Sequence, residues 1–294
     1  NTFLAYDEAY GLTSRENLTI KTGTTAHRVL LDDAHRVHGV ETNTGVIAAD
    51  EVVLTAGAIE TPKLLMLSGI GPAEELARHN IPQLVDLPLG SSFNDHPNIA
   101  LEWKSTVPLT DWDAGSAFPV ALNTGNLEIL VAAKPLRFLL EGIKDAGTTH
   151  HLLIADQGYS GTGRISLQSA DPSDAPVIEY RYFSDPTSLS TMREGIRIAA
   201  QILESTAFTD VFSHVTDLSR ETLESDNLLD TWILERHGTA LHTCGSAPVG
   251  PVVDGSGRVH GVQGLRVADT SILPTTPSRG PAATAVFLGE FIAR

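Results

Sequence analysis

Gly57-Ala58-Ile59-Glu60-Thr61-Pro62-Lys63-Leu64-Leu65-Met66-Leu67-Ser68-Gly69-Ile70-Gly71 is the stretch on which the fold of this chain turns. Immediately before it, Glu51-Val52-Val53-Leu54-Thr55-Ala56 is an apolar run that ends on glycine, the pattern of a central strand in a layered α/β domain. Thr61 and Pro62 predict an N-cap and a first helical position ahead of an apolar helix through Ser68. Gly69, Gly71 and Pro72 then stop that helix. Strand, turn and helix in this order place glycines where the backbone comes close to another group. A tight helix–sheet junction with no ligand accounts for the same residues.

On the N-terminal side, residues 17–56 read as strands. Residues 17–22 alternate, residues 28–31 follow, and residues 36–42 lead through the hairpin signal Asn43-Thr44-Gly45 into residues 46–49. Asn1-Thr2-Phe3-Leu4-Ala5-Tyr6 has no initiator methionine and opens inside an apolar pattern, which reads as an internal cut. On the C-terminal side, Pro88, Gly90, Asn94, Asp95 and Pro97 make residues 86–97 a loop. The texture then changes to separated strands of antiparallel type at 99–103, 151–154, 164–167 and 177–180. A helix at 192–203 follows, with Ile196, Ala199, Ala200 and Leu203 on one face. From His237 the glycine-rich texture returns, with a strand at 265–269 and a small-residue helix at 282–293. Residues 1–97 and 237–294 are therefore expected in one domain, with 98–236 inserted as a second.

The bulk numbers agree with two domains: 294 residues, 41% hydrophobic and 19% charged, are enough to bury a core in each. A formal charge of −16 repels phosphate backbones and argues against nucleic acid as a partner. One cysteine, Cys244, excludes an intramolecular disulfide and predicts a reducing compartment, the cytoplasm. No signal peptide and no apolar run long enough to span a bilayer is visible. The pairs His237/His242 and His150/His151 lack the acid or cysteine that would complete a ligand set, so no metal is expected.

The opening stretch resembles the second sequence signature of the glucose–methanol–choline (GMC) oxidoreductases, and the likeness runs on in order along nearly the whole chain. Asn94-Asp95-His96-Pro97 resembles the family's Asp-His-Pro segment. Gly163-Arg164-Ile165-Ser166-Leu167 and Tyr182-Phe183-Ser184-Asp185-Pro186 resemble parts of its substrate domain. Leu265-Arg266-Val267-Ala268-Asp269-Thr270-Ser271 resembles its C-terminal flavin-contacting block. His242-Thr243-Cys244-Gly245-Ser246-Ala247-Pro248-Val249-Gly250 resembles the stretch headed by the catalytic histidine. The pairing of Gly-Ser-Ala-Pro with Arg-Gly-Pro-Ala-Ala-Thr is similar to the mycofactocin-associated branch.

The resemblance implies an α/β plus α+β architecture. A glutathione-reductase-like FAD-binding domain would be joined to an inserted antiparallel-sheet substrate domain that takes a small-molecule alcohol. It implies FAD contacts at Val29, Ala56, Asn94, Asp95, Asp269, Thr270, Ala283 and Thr284. It also implies His242 as the base for hydride transfer to flavin N5, a role that a near-neutral imidazole suits. A lone histidine is more often a structural residue, and a turn or N-cap aspartate is the lesser reading of Asp269.

Two departures stand out. The family's second catalytic position, usually histidine or asparagine, falls on Gly280, with Arg279 the adjacent charge. No Gly-x-Gly-x-x-Gly turn occurs. The expectation is therefore a C-terminal part whose FAD-binding domain is incomplete, lacking its N-terminal Rossmann βαβ unit, with the missing flavin-binding half as a partner and the electron acceptor unidentified. A hydroxynitrile lyase on the same fold and an inactive split-gene subunit are the alternatives.

Overall fold

The apolar strand before Gly57 pairs with a strand from the far end of the chain. A computed structural model describes residues 14–107, 117–132 and 148–293; the apolar start at residues 1–6 lies outside them. Strands β1 (Ala26–Leu31), β2 (Val37–Thr42) and β3 (Gly45–Ala48) form an antiparallel meander, its second hairpin closing at Asn43 and Thr44 as their chemistry predicts. Residues 17–22 do not join it. Leu18 and Ile20 are exposed there, and without a ladder partner alternation alone makes no strand.

Strand β4 (Val52–Leu54) runs into α1 (Gly57–Leu67), and α2 (Ala73–Arg78) follows. Helix α1 starts five residues earlier than the Thr61-Pro62 signal predicts, with Pro62 inside it. Proline has no N–H, so the Ala58 carbonyl lacks its i+4 donor. The Ser246 hydroxyl supplies one instead, donating to the Ala58 carbonyl at 2.6 Å.

The large antiparallel sheet contains β5 (Pro97–Ser105), β6 (Val120–Thr124), β7 (Leu127–Ala132) and β8 (Thr149–Asp156). A separate hairpin, β9 (Arg164–Ser166) and β10 (Val177–Glu179), precedes α3 (Pro186–Leu203). Then come β11 (Phe212–Val215), α4 (Arg220–Glu224), α5 (Asp226–Arg236) and β12 (Gly238–Thr239). The sheet order is β11-β5-β8-β7-β6, with β12 also on β5. Along β5, Ile99, Leu101 and Trp103 point inward on the two-residue period and meet Met192 and Ile196 of α3 and Trp232 of α5 in one core.

A second core packs α1 against Val29, Leu54, Val252, Val253, Val267 and Ile272. Leu167, just after β9, belongs to this core, not to that of the large sheet. Glu75 holds it there: its buried carboxylate accepts the Leu167 N–H at 2.8 Å and meets Arg78 and Arg164. The chain thus returns to the first core within the stretch that sequence texture gives to the second domain.

Last come β13 (Leu265–Val267) and α6 (Ala282–Ile292). Strand β13 lies parallel to β4, with Leu265 opposite Val52 and Val267 opposite Leu54. This corrects the expectation of a flavin domain stripped of its strand–helix–strand unit. Strand β4, helix α1 and the parallel β13 form a βα element with its parallel neighbour inside the chain, and β13 satisfies ladder groups that the expected loss would leave bare.

Candidate active site

Two loops pair to build the site. Asn94 and Cys244 exchange both backbone hydrogen bonds at 2.9 Å, and the Ala240 N–H donates to the His96 carbonyl at 3.0 Å. The neighbouring β12–β5 pairing, Thr239 with Pro97, is in register with the Ala240–His96 bond, and the turn at Leu241 shifts the register before the Asn94–Cys244 bridge. Leu241 sits in the left-handed region at φ 61°, a costly conformation for leucine, and its N–H donates to the Thr239 hydroxyl at 2.8 Å. The backbone turns there, just before His242.

The His242 ring is held edge-on to the His96 ring, with Nδ1 of each 3.0 Å from Nδ1 of the other. His96 is fully buried. Burial pushes its pKa down to about 4, helped by repulsion from His242 and opposed by the Gln157 backbone. His242 is half-buried, and burial lowers its pKa too, against the pull of the Asp95 and Glu128 charges. Both rings are therefore neutral near pH 7. A Cβ placed on Gly280 would stand 3.0 Å from His242 Nε2, so Gly280 is the wall against this edge of the ring. Leu241, His242, Thr243, Thr270, Gly280, Pro281 and Ala282 line a cleft of about 270 Å³.

Asp95 anchors the assembly. One carboxylate oxygen accepts the hydroxyls of Tyr182 and Thr239, and the other accepts the His242 N–H at 2.7 Å. Burial raises the Asp95 pKa against these hydrogen bonds. Burial, with the Asp95 charge behind it, pushes the Tyr182 phenol far above its ordinary range and keeps it a donor.

The other expected residues divide into groups. Asn94 is pinned by its backbone pairing and by an Nδ2 bond to the Gly161 carbonyl at 2.9 Å. Asp269 accepts from the Gly57 N–H at 3.0 Å, the Thr61 hydroxyl at 2.6 Å and the Ser271 N–H at 2.8 Å, the turn-aspartate geometry that also ties β13 to α1. Thr270 borders the His242 cleft, and Ala283 and Thr284 lie in the adjoining first turn of α6. Ala56 lines a different cleft with Glu60 and Lys63. The Val29 side chain is in the core, and its N–H donates to the Ser68 hydroxyl at 2.8 Å. The exposed Arg279 turns its guanidinium onto the Ser278 carbonyl.

Cys244 is buried, and burial pushes its thiol up to about 12, so it is a core side chain and not a nucleophile. His237 caps α5 and packs on Phe183 and Tyr182. Among the described residues no three His, Cys, Asp or Glu side chains gather around a metal-sized space, and no helix is long and apolar enough to cross a membrane. Sequence reasoning passed over His96, Thr239 and Tyr182, although the Asp-His-Pro motif already carried His96.

Residues 160–289 match the C-terminal model, and residues 10–98 the N-terminal model, of the family described as GMC oxidoreductase. The chain belongs to the GMC oxidoreductase family. Because the N-terminal model matches as well, this GMC chain is not the C-terminal part alone. The expectations of a lost N-terminal flavin-binding unit and of a separate half supplying it as partner are both overturned.

The chain is 35% identical over 287 residues to an uncharacterised GMC-type oxidoreductase of Rhodococcus erythropolis, covering 94% of this chain and 56% of that one. It is 31% identical over 309 residues to choline oxidase of Arthrobacter globiformis, covering 95% and 56%. The chain thus spans a little over half the length of these relatives. Among solved structures, formate oxidase of Aspergillus oryzae superposes with a TM-score of 0.83 at 26% identity, covering 96% of this chain and 61% of that one.

Proposed function

We propose that this chain belongs to an FAD-dependent oxidoreductase that oxidises the CH–OH group of a small alcohol, with His242 as the general base. The observation that carries the reading is a neutral imidazole held at Nδ1 whose Nε2 edge lies against a cleft walled by glycine. Choline oxidase and formate oxidase among the relatives support it.

The cleft fits a flat ring that gains negative charge when it is reduced. Gly280 puts no side chain into it, and the first-turn N–H groups of α6, from Ala282 to Thr284, have no acceptor within their helix. Together with the helix dipole they favour negative charge. Thr270, Ala283 and Thr284 are the residues assigned to that contact, and Val29 and Ala56 would serve a more distant part of the cofactor. FAD bound there supplies a hydride acceptor. His242 Nε2 takes the hydroxyl proton while the carbinol carbon gives up its hydride, leaving a carbonyl product. The Asp95 and Glu128 charges then favour the protonated ring. The buried Cys244 thiol supports placing the protein in the cytoplasm.

The test is anaerobic mixing of the holoenzyme with alcohol. Flavin bleaching is expected, and His242→Ala should slow it by about 10²–10⁴. An unaffected rate would refute the base assignment. Substrate cleavage without bleaching would favour a lyase.

A further inference from the structure

We propose that His96 is a positioning residue for His242: its Nδ1 accepts the His242 Nδ1–H and so keeps Nε2 of His242 bare toward the cleft. The proposal rests on the reading of His242 as base and deepens it.

A neutral imidazole carries one proton on one of two nitrogens. His242 can act as a base at Nε2 only if that proton is on Nδ1. Free histidine side chains in water prefer the opposite tautomer, so something must hold the proton in place. The two Nδ1 atoms lie 3.0 Å apart, and one of them must be the donor.

The role of His242 as base decides which, and His96 takes the acceptor's part. Its ring is fully buried and disfavours a second proton. The polar neighbour that stabilises a proton on it is the Gln157 backbone. With the shared proton on His242 Nδ1, as its role as base requires, the His96 proton belongs on Nε2. No group closes a hydrogen bond of ordinary geometry with that Nε2. His96 Nδ1 is then left as the acceptor of the shared proton. A carboxylate here would draw the His242 proton the same way, but it would bury a charge at high cost. A buried neutral imidazole does the work without one.

Backbone pairing fixes the contact. The Asn94–Cys244 bridge and the Asp95 bond to the His242 N–H hold the backbones of the two histidine-bearing segments against each other, which keeps the two rings within reach. His96 does not itself line the cleft and reaches it only through His242.

The test labels histidine with ¹⁵N in the holoenzyme, assigns His242 by its loss in His242→Gln, and reads both ring nitrogens. Wild type should show an N–H at Nδ1 and a bare Nε2. His96→Leu should move His242 to the Nε2–H tautomer and slow flavin reduction by about 10²-fold with KM little changed. His96→Asn, whose amide oxygen can stand near the Nδ1 position, should restore the wild-type tautomer and most of the rate. An Nε2–H tautomer in wild type, or one indifferent to His96→Leu, would overturn the proposal. If the tautomers behave as expected while His242→Ala keeps full activity, the base assignment fails and the pairing stands.

Discussion

The Asp95 carboxylate accepts the backbone N–H of His242 at 2.7 Å, so the residue preceding one histidine of the pair holds the backbone of the other. Its second oxygen is shared by Tyr182 and Thr239. Asp95→Ala would leave three donors without an acceptor in a buried place and should destabilise the fold by about 3 kcal/mol. Asp95→Asn keeps an oxygen for the His242 N–H and should lose less stability. Urea denaturation of the two variants checks the order. Equal losses would mean that the hydroxyls, not the His242 backbone, are what matters.

Gly280→Ala places a methyl group 3.0 Å from His242 Nε2, on a ring pinned at its other edge. The ring must give by a few tenths of an ångström. Flavin reduction should slow about tenfold, because small misplacements of a reacting group are costly. Thermal stability should change little, since Gly280 is exposed and its φ is not in the left-handed range. An unchanged rate would show that this face of the ring is not the working one.

A base must be unprotonated to work, so kcat/KM rises with pH through the His242 pKa and is flat above it. Burial lowers that pKa from the ordinary 6.5. The acid limb of the profile should therefore lie below pH 6.5. A limb centred above that value would mean that the Asp95 and Glu128 charges outweigh burial.

His96 links stability to pH. Its folded pKa of about 4 lies below the ordinary 6.5, so below pH 6.5 the unfolded chain binds more protons than the folded one. The contribution is complete above pH 6.5 and is lost as pH falls toward 4, amounting to about 3 kcal/mol at most. Wild type should lose stability on acidification faster than His96→Asn, which has no group to titrate there. Parallel pH curves from calorimetry would mean that His96 ionises as it does in water.

The legible parts were those set by local pattern. The two-residue period of β5 and the apolar face of α3 were readable because each buries one side against a single core. His242 and Gly280 were readable as motif positions, and the structure puts them side by side. Residues 17–22 misled because alternation says nothing about whether a partner strand exists. Thr61 looked like a cap because its real partner, Asp269, is 208 residues away. The His96–His242 contact was hidden for the same reason: 146 residues separate the pair, and only backbone pairing between their loops joins them.

Ser246 donates to a carbonyl 188 residues earlier, freed by Pro62, and Asp269 reaches a backbone N–H 212 residues earlier. Closing loops of that size costs entropy before any contact repays it. No short segment of this chain can nucleate the site by itself. Native catalytic geometry should therefore be among the last properties the molecule acquires on refolding.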